Sequence, residues 1–162
     1  MTINIGEFIP KEPLTIMDAE KGPTPISLFE SSKEKKIILV ALPGAFTPTC
    51  HRNHLPGYVE SYETFKEKGI DAIYCVSVND IYVMGAWSNN QGAEGKVLML
   101  ADGSAKFTKA VGMDVDLDLF GMGTRSKRYS MLIEDGVIKK INIEVKPGEA
   151  EISGAKRMLS EL

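Results

Sequence analysis

Cysteine is scarce in this chain: 162 residues carry only Cys50 and Cys75. Two thiols do not staple a chain of this length into a disulfide framework, and in a reducing compartment they stay free, one or both available for chemistry. An excess of positive charge is lacking too. The net charge of −3 and pI near 5.5 exclude nucleic acid as the main partner and leave no polybasic handle for an anionic membrane. No apolar run approaches the roughly 18 residues that span a bilayer. The longest, residues 37–42, has the length of a strand. Residues 1–11 show no basic start followed by an apolar stretch, so no secretory leader is read there and a cytosolic location is expected. A removed organellar leader would leave the same sequence. The two histidines, His51 and His54, make no recognisable metal spacing with Cys75 or with acidic residues, so no metal is expected.

What is present is ordinary for a globular protein: 43% apolar and 25% charged residues, without repeats or low-complexity tracts. One domain over residues 1–162 is expected, large enough to bury its own core. Residues 21–25, with two prolines and a glycine, read as a loop. Residues 36–42 are a buried strand that Pro43 and Gly44 end. Thr47 is a plausible N-cap and Pro48 suits a first helical position, so a helix is predicted through Cys50 to Lys68, stopped by Gly69 and kinked or interrupted at Pro56. Tyr58, Tyr62 and Phe65 recur on it at helical spacing. Strand 70–78, containing Cys75, follows, then a helix capped by Asn79-Asp80 through 89, strand 96–100 and a short helix over 104–111. Residues 114–118, an acidic stretch without the glycine and final glutamate of an EF-hand loop, read as a solvated loop or helix start. Asp135-Gly136 joins strands 128–134 and 137–145 in a hairpin. A terminal helix is predicted over 149–162, with Ile152, Ala155, Met158 and Leu159 on one face. This order predicts an α/β fold with a central mixed sheet flanked by helices, which a thioredoxin-like fold satisfies and other small α/β folds satisfy too.

The least ordinary local sequence precedes Cys50. A thiol attacks as its thiolate, and the first turn of a helix favours an anion through its unbonded N–H groups and its dipole. Rigid proline and glycine positions in the loop would hold those N–H groups in place before a ligand arrives. The residues after Cys50 are His51, Arg52 and Asn53, so there is no Cys-x-x-Cys pair, which argues against a dithiol oxidoreductase. A lone cysteine is more often a small buried apolar residue, but the strand–loop–helix context favours reactivity.

Pro43, Thr47 and Cys50 resemble the Pro-x-x-x-Thr-x-x-Cys signature of peroxiredoxins. The fuller string PGAFTPTCHRNHLPGY is similar to the subfamily of plant type II and mammalian peroxiredoxin-5 enzymes, and the likeness continues in VSVNDIYVMGAW, EGKVLMLADG and GTRSKRYSMLIEDG. The resemblance implies a peroxidase of thioredoxin-like fold acting on hydrogen peroxide and alkyl hydroperoxides, with no metal, haem or other cofactor needed. Cys50 would be the attacking thiolate and become a sulfenic acid. Thr47 would align the peroxide through its hydroxyl, Arg128 would stabilise the thiolate and the peroxide oxygens, and Pro43 would shield the site. The N–H groups of Cys50 and Thr49 would hold the oxygen, with Gly44, Phe46 and Phe120 around the substrate. Residues near Phe46, Phe120 and Met122 form a dimer face in the family, so a homodimer is expected. On a strand Arg125 and Arg128 face opposite ways; the family pattern favours Arg128, leaving Arg125 as a surface charge or a dimer contact.

Some relatives carry a resolving cysteine near residues 146–150, where this chain has none. Cys75 is the remaining candidate, but its place within an apolar strand favours a structural role, and a disulfide needs Cα atoms within about 7 Å. A one-cysteine cycle reset by glutathione with glutaredoxin, or by thioredoxin, is the expectation. His51 is expected to be solvated, and His54 to be structural or near the approach to the site. A thiol redox sensor or relay, and a non-catalytic chaperone on the same fold, remain open alternatives.

Overall fold

The computed structural model describes residues 1–146 and 148–162. Seven strands form one twisted mixed sheet: β1 (Leu14–Asp18), β2 (Gly22–Ile26), β3 (Lys36–Ala41), β4 (Ala72–Ser77), β5 (Val97–Ala101), β8 (Tyr129–Glu134) and β9 (Val137–Ile143), in the spatial order β2-β1-β5-β4-β3-β8-β9. β6 (Asp114–Asp116) and β7 (Thr124–Ser126) make a separate antiparallel pair. The helices are α1 (Leu28–Ser31), α2 (Leu55–Glu60), α3 (Tyr62–Glu67), α4 (Ile81–Gln91), α5 (Lys106–Ala110) and α6 (Ala155–Ser160). This is the thioredoxin-like arrangement that the resemblance implied.

β3 shows why the sheet lies at the centre. Its side chains alternate between two faces and both are apolar. Ile38, Val40 and Leu42 enter one core with Leu55, Tyr58, Phe65, Met84 and Trp87, while Ile37, Leu39 and Ala41 enter the other with Phe107, Met113 and Tyr129. β3 pairs in parallel with β4, Val40 opposite Cys75, and antiparallel with β8, Ala41 opposite Tyr129. The exits of β3 and β4 and the entry to β8 therefore meet at one end of the sheet. Asp135 (φ 49°) and Gly136 (φ 78°) both take the left-handed conformation that the tight turn between β8 and β9 requires.

Several expectations are corrected. Residues 21–25 are not a loop but most of β2. A proline cannot donate to a ladder, yet β2 is an edge strand, and Pro23 and Pro25 alternate along it opposite Met17 and Thr15, turning their donorless nitrogens outward. The helix after Pro48 is not simply kinked at Pro56. It opens as a π turn over Cys50–His54, in which Leu55 N–H reaches back to Cys50 O, continues as α2, and breaks at Ser61 before α3. Pro56 offers no N–H and crowds the preceding turn, so the backbone widens just before it. The terminal helix is only Ala155–Ser160. Residues 114–118 supply β6 and the start of a 3₁₀ turn, Asp118–Phe120, rather than a plain loop.

Candidate active site

Residues 43–49 leave β3 and enter the Cys50 turn, and polar groups from distant segments fix this loop. Arg125 Nη1 donates to Pro43 O at 3.3 Å and Arg125 Nε to Met122 O at 2.8 Å. Asn79 Oδ1 accepts from Ala45 N–H at 2.9 Å. Thr47 Oγ1 donates to Gly44 O at 2.7 Å. A Cβ on Gly44 would lie 2.7 Å from Arg125 Nη1, so a larger residue there would displace the guanidinium that braces the loop. Phe46 takes a left-handed backbone (φ 64°), which turns its ring outward to stack on His51 at 5.7 Å. The first turn-forming bond after the loop is His51 N–H to Thr47 O at 2.9 Å, so the N–H groups of Thr49 and Cys50 precede the helical ladder. Thr49 Oγ1 donates to Gly148 O at 2.9 Å.

Cys50 is fully buried, and His54, in the same turn, connects it to Arg128. Arg128 Nη1 lies 3.2 Å from His54 Nδ1, and His54 Nε2 lies 3.1 Å from Ser153 O. A guanidinium only donates and a carbonyl only accepts, so His54 is the neutral tautomer with its proton on Nε2. Burial, reinforced by the Arg128 charge, pushes the His54 pKa down to about 3. Tyr58 Oη donates to the same Ser153 O at 2.7 Å. Arg128 is 5% exposed, and its buried Nε–H meets no acceptor among the described residues. That donor is available to an oxygen or a thiolate. A cleft of about 320 Å³ runs past Pro43 and Arg128, lined by the apolar Val115, Leu117, Ile143 and Val145 and by the polar Ser126, Lys127 and Glu144.

The sheet geometry thus brings Pro43, Gly44, Thr47, Thr49, Cys50 and Arg128 to one end of the fold. Phe46 stands on the outer side of the loop, and Phe120 on the exposed Asp118–Phe120 turn. Cys75 lies in the core on β4, flanked by β3 and β5. Burial pushes its thiol far above the ordinary range, the neighbouring Cys50 pushes it further, and Arg128 only partly opposes this. Both cysteines are free thiols. His51 is not solvated: its Nδ1 accepts from Trp87 Nε1 at 3.1 Å and lies 3.0 Å from Gln91 Nε2. Arg125 is not a surface charge but a half-buried brace of the Pro43 loop. The residues that sequence reasoning missed are Asn79, Trp87, Gln91, Glu144 and Ser153. Asn79 lies two residues past the end of β4, the one place where a sequence signal pointed, though as a helix cap. The helix-capping role belongs to Asp80, whose carboxylate accepts from Tyr82 and Val83 N–H.

The Redoxin family model matches residues 7–159. The chain is 42% identical to Peroxiredoxin-2E-2, chloroplastic, of Oryza sativa subsp. japonica, covering 99% of this chain and 73% of that protein. The crystal structure of reduced Prx3 in complex with H2O2 from Vibrio vulnificus superposes with a TM-score of 0.93 at 44% identity, covering 99% of each chain. That of the Plasmodium falciparum antioxidant protein, a 1-Cys peroxiredoxin, superposes with a TM-score of 0.87 at 33% identity, covering 96% of each. The expected cytosolic location is overturned. Peroxiredoxin-2E-2 of Oryza sativa subsp. japonica and Peroxiredoxin-2E of Arabidopsis thaliana are named chloroplastic and Peroxiredoxin-2F of Arabidopsis thaliana mitochondrial, which runs against a cytosolic reading.

Proposed function

The chain belongs to the redoxin family as a peroxiredoxin of the plant type II, peroxiredoxin-5-like kind, and on that premise we propose that Cys50 is its peroxidatic residue and that one cysteine suffices for the cycle. Its activity is that of a thiol-dependent peroxidase. The Cys50 thiolate attacks one oxygen of the peroxide. The O–O bond breaks, Sγ gains that oxygen as a sulfenic acid, and the other oxygen leaves as water or an alcohol after taking a proton. Thr47 spends its hydroxyl proton on Gly44 O, so towards substrate it acts as an acceptor for a peroxide O–H. Arg128 supplies the opposite polarity: its unpartnered Nε–H donates to the thiolate or to the oxygen that develops charge. Pro43 walls the site, and the apolar side chains Val115, Leu117, Ile143 and Val145 in the cleft beside it support alkyl hydroperoxides as substrates along with hydrogen peroxide. The observation that carries this reading is the docking of Arg128, through His54, onto the turn that holds Cys50.

A sulfenate on Cys50 needs a thiolate to reset it, and burial keeps Cys75 protonated. An external thiol, glutathione with glutaredoxin or thioredoxin, forms a mixed disulfide with release of water, and a second thiol frees Cys50. The Cys50 side chain is fully buried, so its turn opens for this step. One domain spans residues 1–162 in this reading, and the exposed Phe46, Leu119 and Phe120 form a homodimer face.

A stopped-flow measurement of sulfenate formation with hydrogen peroxide and with an alkyl hydroperoxide tests the assignment. Fast consumption lost in Cys50→Ser supports it; slow, free-thiol-like consumption by the unaltered protein sinks it. Steady turnover of Cys75→Ser with glutathione and glutaredoxin, or with thioredoxin, is expected. A stall after one turnover would make Cys75 the resolving residue.

A further inference from the structure

A closed circuit of hydrogen bonds begins and ends on Arg128. Its main-chain oxygen accepts from Glu144 N–H at 2.9 Å. The Glu144 carboxylate accepts from Ser153 N–H at 2.9 Å, from Ser153 Oγ–H at 2.7 Å and from Ile152 N–H at 3.3 Å. Ser153 O accepts from His54 Nε2–H, and His54 Nδ1 accepts from Arg128 Nη1–H. Each link has one sensible polarity. The carboxylate cannot donate, the carbonyl cannot donate and the guanidinium cannot accept, so no member turns over without breaking a neighbour. The Glu144 carboxyl reflects the same arrangement: burial pushes it up, and the donors from Ser153, Ile152 and Glu151 outweigh that, holding it below the ordinary carboxylate range.

We propose that Glu144 and Ser153 are positioning residues for the peroxidase reaction. They fix the rotamer of His54, and through it the guanidinium of Arg128, so that the unpartnered Nε–H is aimed before peroxide arrives. Neither touches the reacting atoms. The segment after β9 thereby becomes part of the active-site architecture, although it lies far from Cys50 in sequence. Ser153 is fully buried with every polar atom engaged, which suits a fixed brace rather than a surface contact. Tyr58 adds a second donor to Ser153 O and prevents that carbonyl from swinging away from His54.

This inference rests on the reading of Cys50 and Arg128 given above, and a double-mutant cycle on the full chain separates the two. The second-order rate constant for sulfenate formation is measured with hydrogen peroxide in the unaltered protein, Glu144→Gln, Arg128→Lys and the double variant, with the pH profile of Cys50 alkylation by iodoacetamide. Glu144→Gln is expected to lose about tenfold in rate, the equivalent of one charge-assisted hydrogen bond, and to move the alkylation profile to higher pH. In the Arg128→Lys background the same change is expected to have no effect on rate. Ser153→Ala, which keeps the carbonyl, is expected to lose less than Glu144→Gln. Equal losses from Glu144→Gln in both backgrounds, or an unchanged alkylation profile, would overturn the positioning role. Loss of folding in Glu144→Gln is checked by circular dichroism, and Ser153→Ala then carries the same cycle. If Arg128→Lys itself leaves the rate unchanged, the site assignment fails instead.

Discussion

Arg128 reaches the site with a donor to spare because a neutral histidine takes one of its others. His54 holds that role only while it is uncharged. In the unfolded chain it titrates near 6.5, in the folded protein near 3. Between those values the unfolded chain binds a proton that the folded protein refuses. Stability is therefore fully present above pH 6.5 and falls as the pH drops towards 3, by up to about 1.4 kcal/mol per unit crossed. Urea midpoints at about pH 7 and pH 5 should show this drop, and His54→Asn should shrink it; an equal drop in both proteins would show that other groups cause it. Pro43, Thr47 and Cys50 were legible in the sequence because a contiguous string carries them. Asn79, Arg125 and Ser153 were not. Their partners stand 34, 82 and 99 positions away, and only the folded sheet brings each pair together.

Among elements, the buried β3 and β4, the α4 cap at Asp80 and the Asp135-Gly136 hairpin were readable, since each rests on local periodicity or turn chemistry. β2 was hidden because prolines argue against strands except at an edge, and edge position is a property of the sheet rather than of the segment. The π turn was hidden for a related reason. Pro56 announced an irregularity but not whether the helix would bend, break or widen. In widening, Cys50–His54 carries one residue more than an α-helix would use, and this sets where the thiol points relative to α2. Deleting Asn53 should restore regular winding and alter the spacing of Cys50 from His54, the residue that docks Arg128. The expected product is folded by circular dichroism and lacks rapid sulfenate formation. Full activity in that variant would mean the extra residue has no bearing on the site.

For the whole molecule, exposed large apolar side chains are spread over several segments, Ile5, Phe8, Tyr82 and Val145 among them, and they include Phe46 (47% exposed) on the Cys50 loop and Leu119 (90%) and Phe120 (72%) on one turn. Isolated exposed apolar residues are common, but large ones grouped beside a reactive site suit a partner surface. If this surface is the proposed homodimer face, light scattering should find the unaltered protein as a dimer and Phe120→Glu as a monomer with an unchanged circular dichroism spectrum; a protein that is monomeric before the change would refute the dimer face. The apolar pattern foretold the layers of the fold, whereas nothing in it revealed that residues after β9 close back onto Arg128. That closure has a consequence in time. A chain is made from its N-terminus, so Cys50 emerges well before Arg128, and Arg128 before Ser153. At about 5–20 residues per second, several seconds separate the thiol from the last of its supports. During that interval Cys50 first lacks the guanidinium and then lacks the brace that would hold it, so it is expected to react as an ordinary cysteine. On the proposed assignment, fast reaction with peroxide begins only once the residues after β9 have been made and have closed onto Arg128.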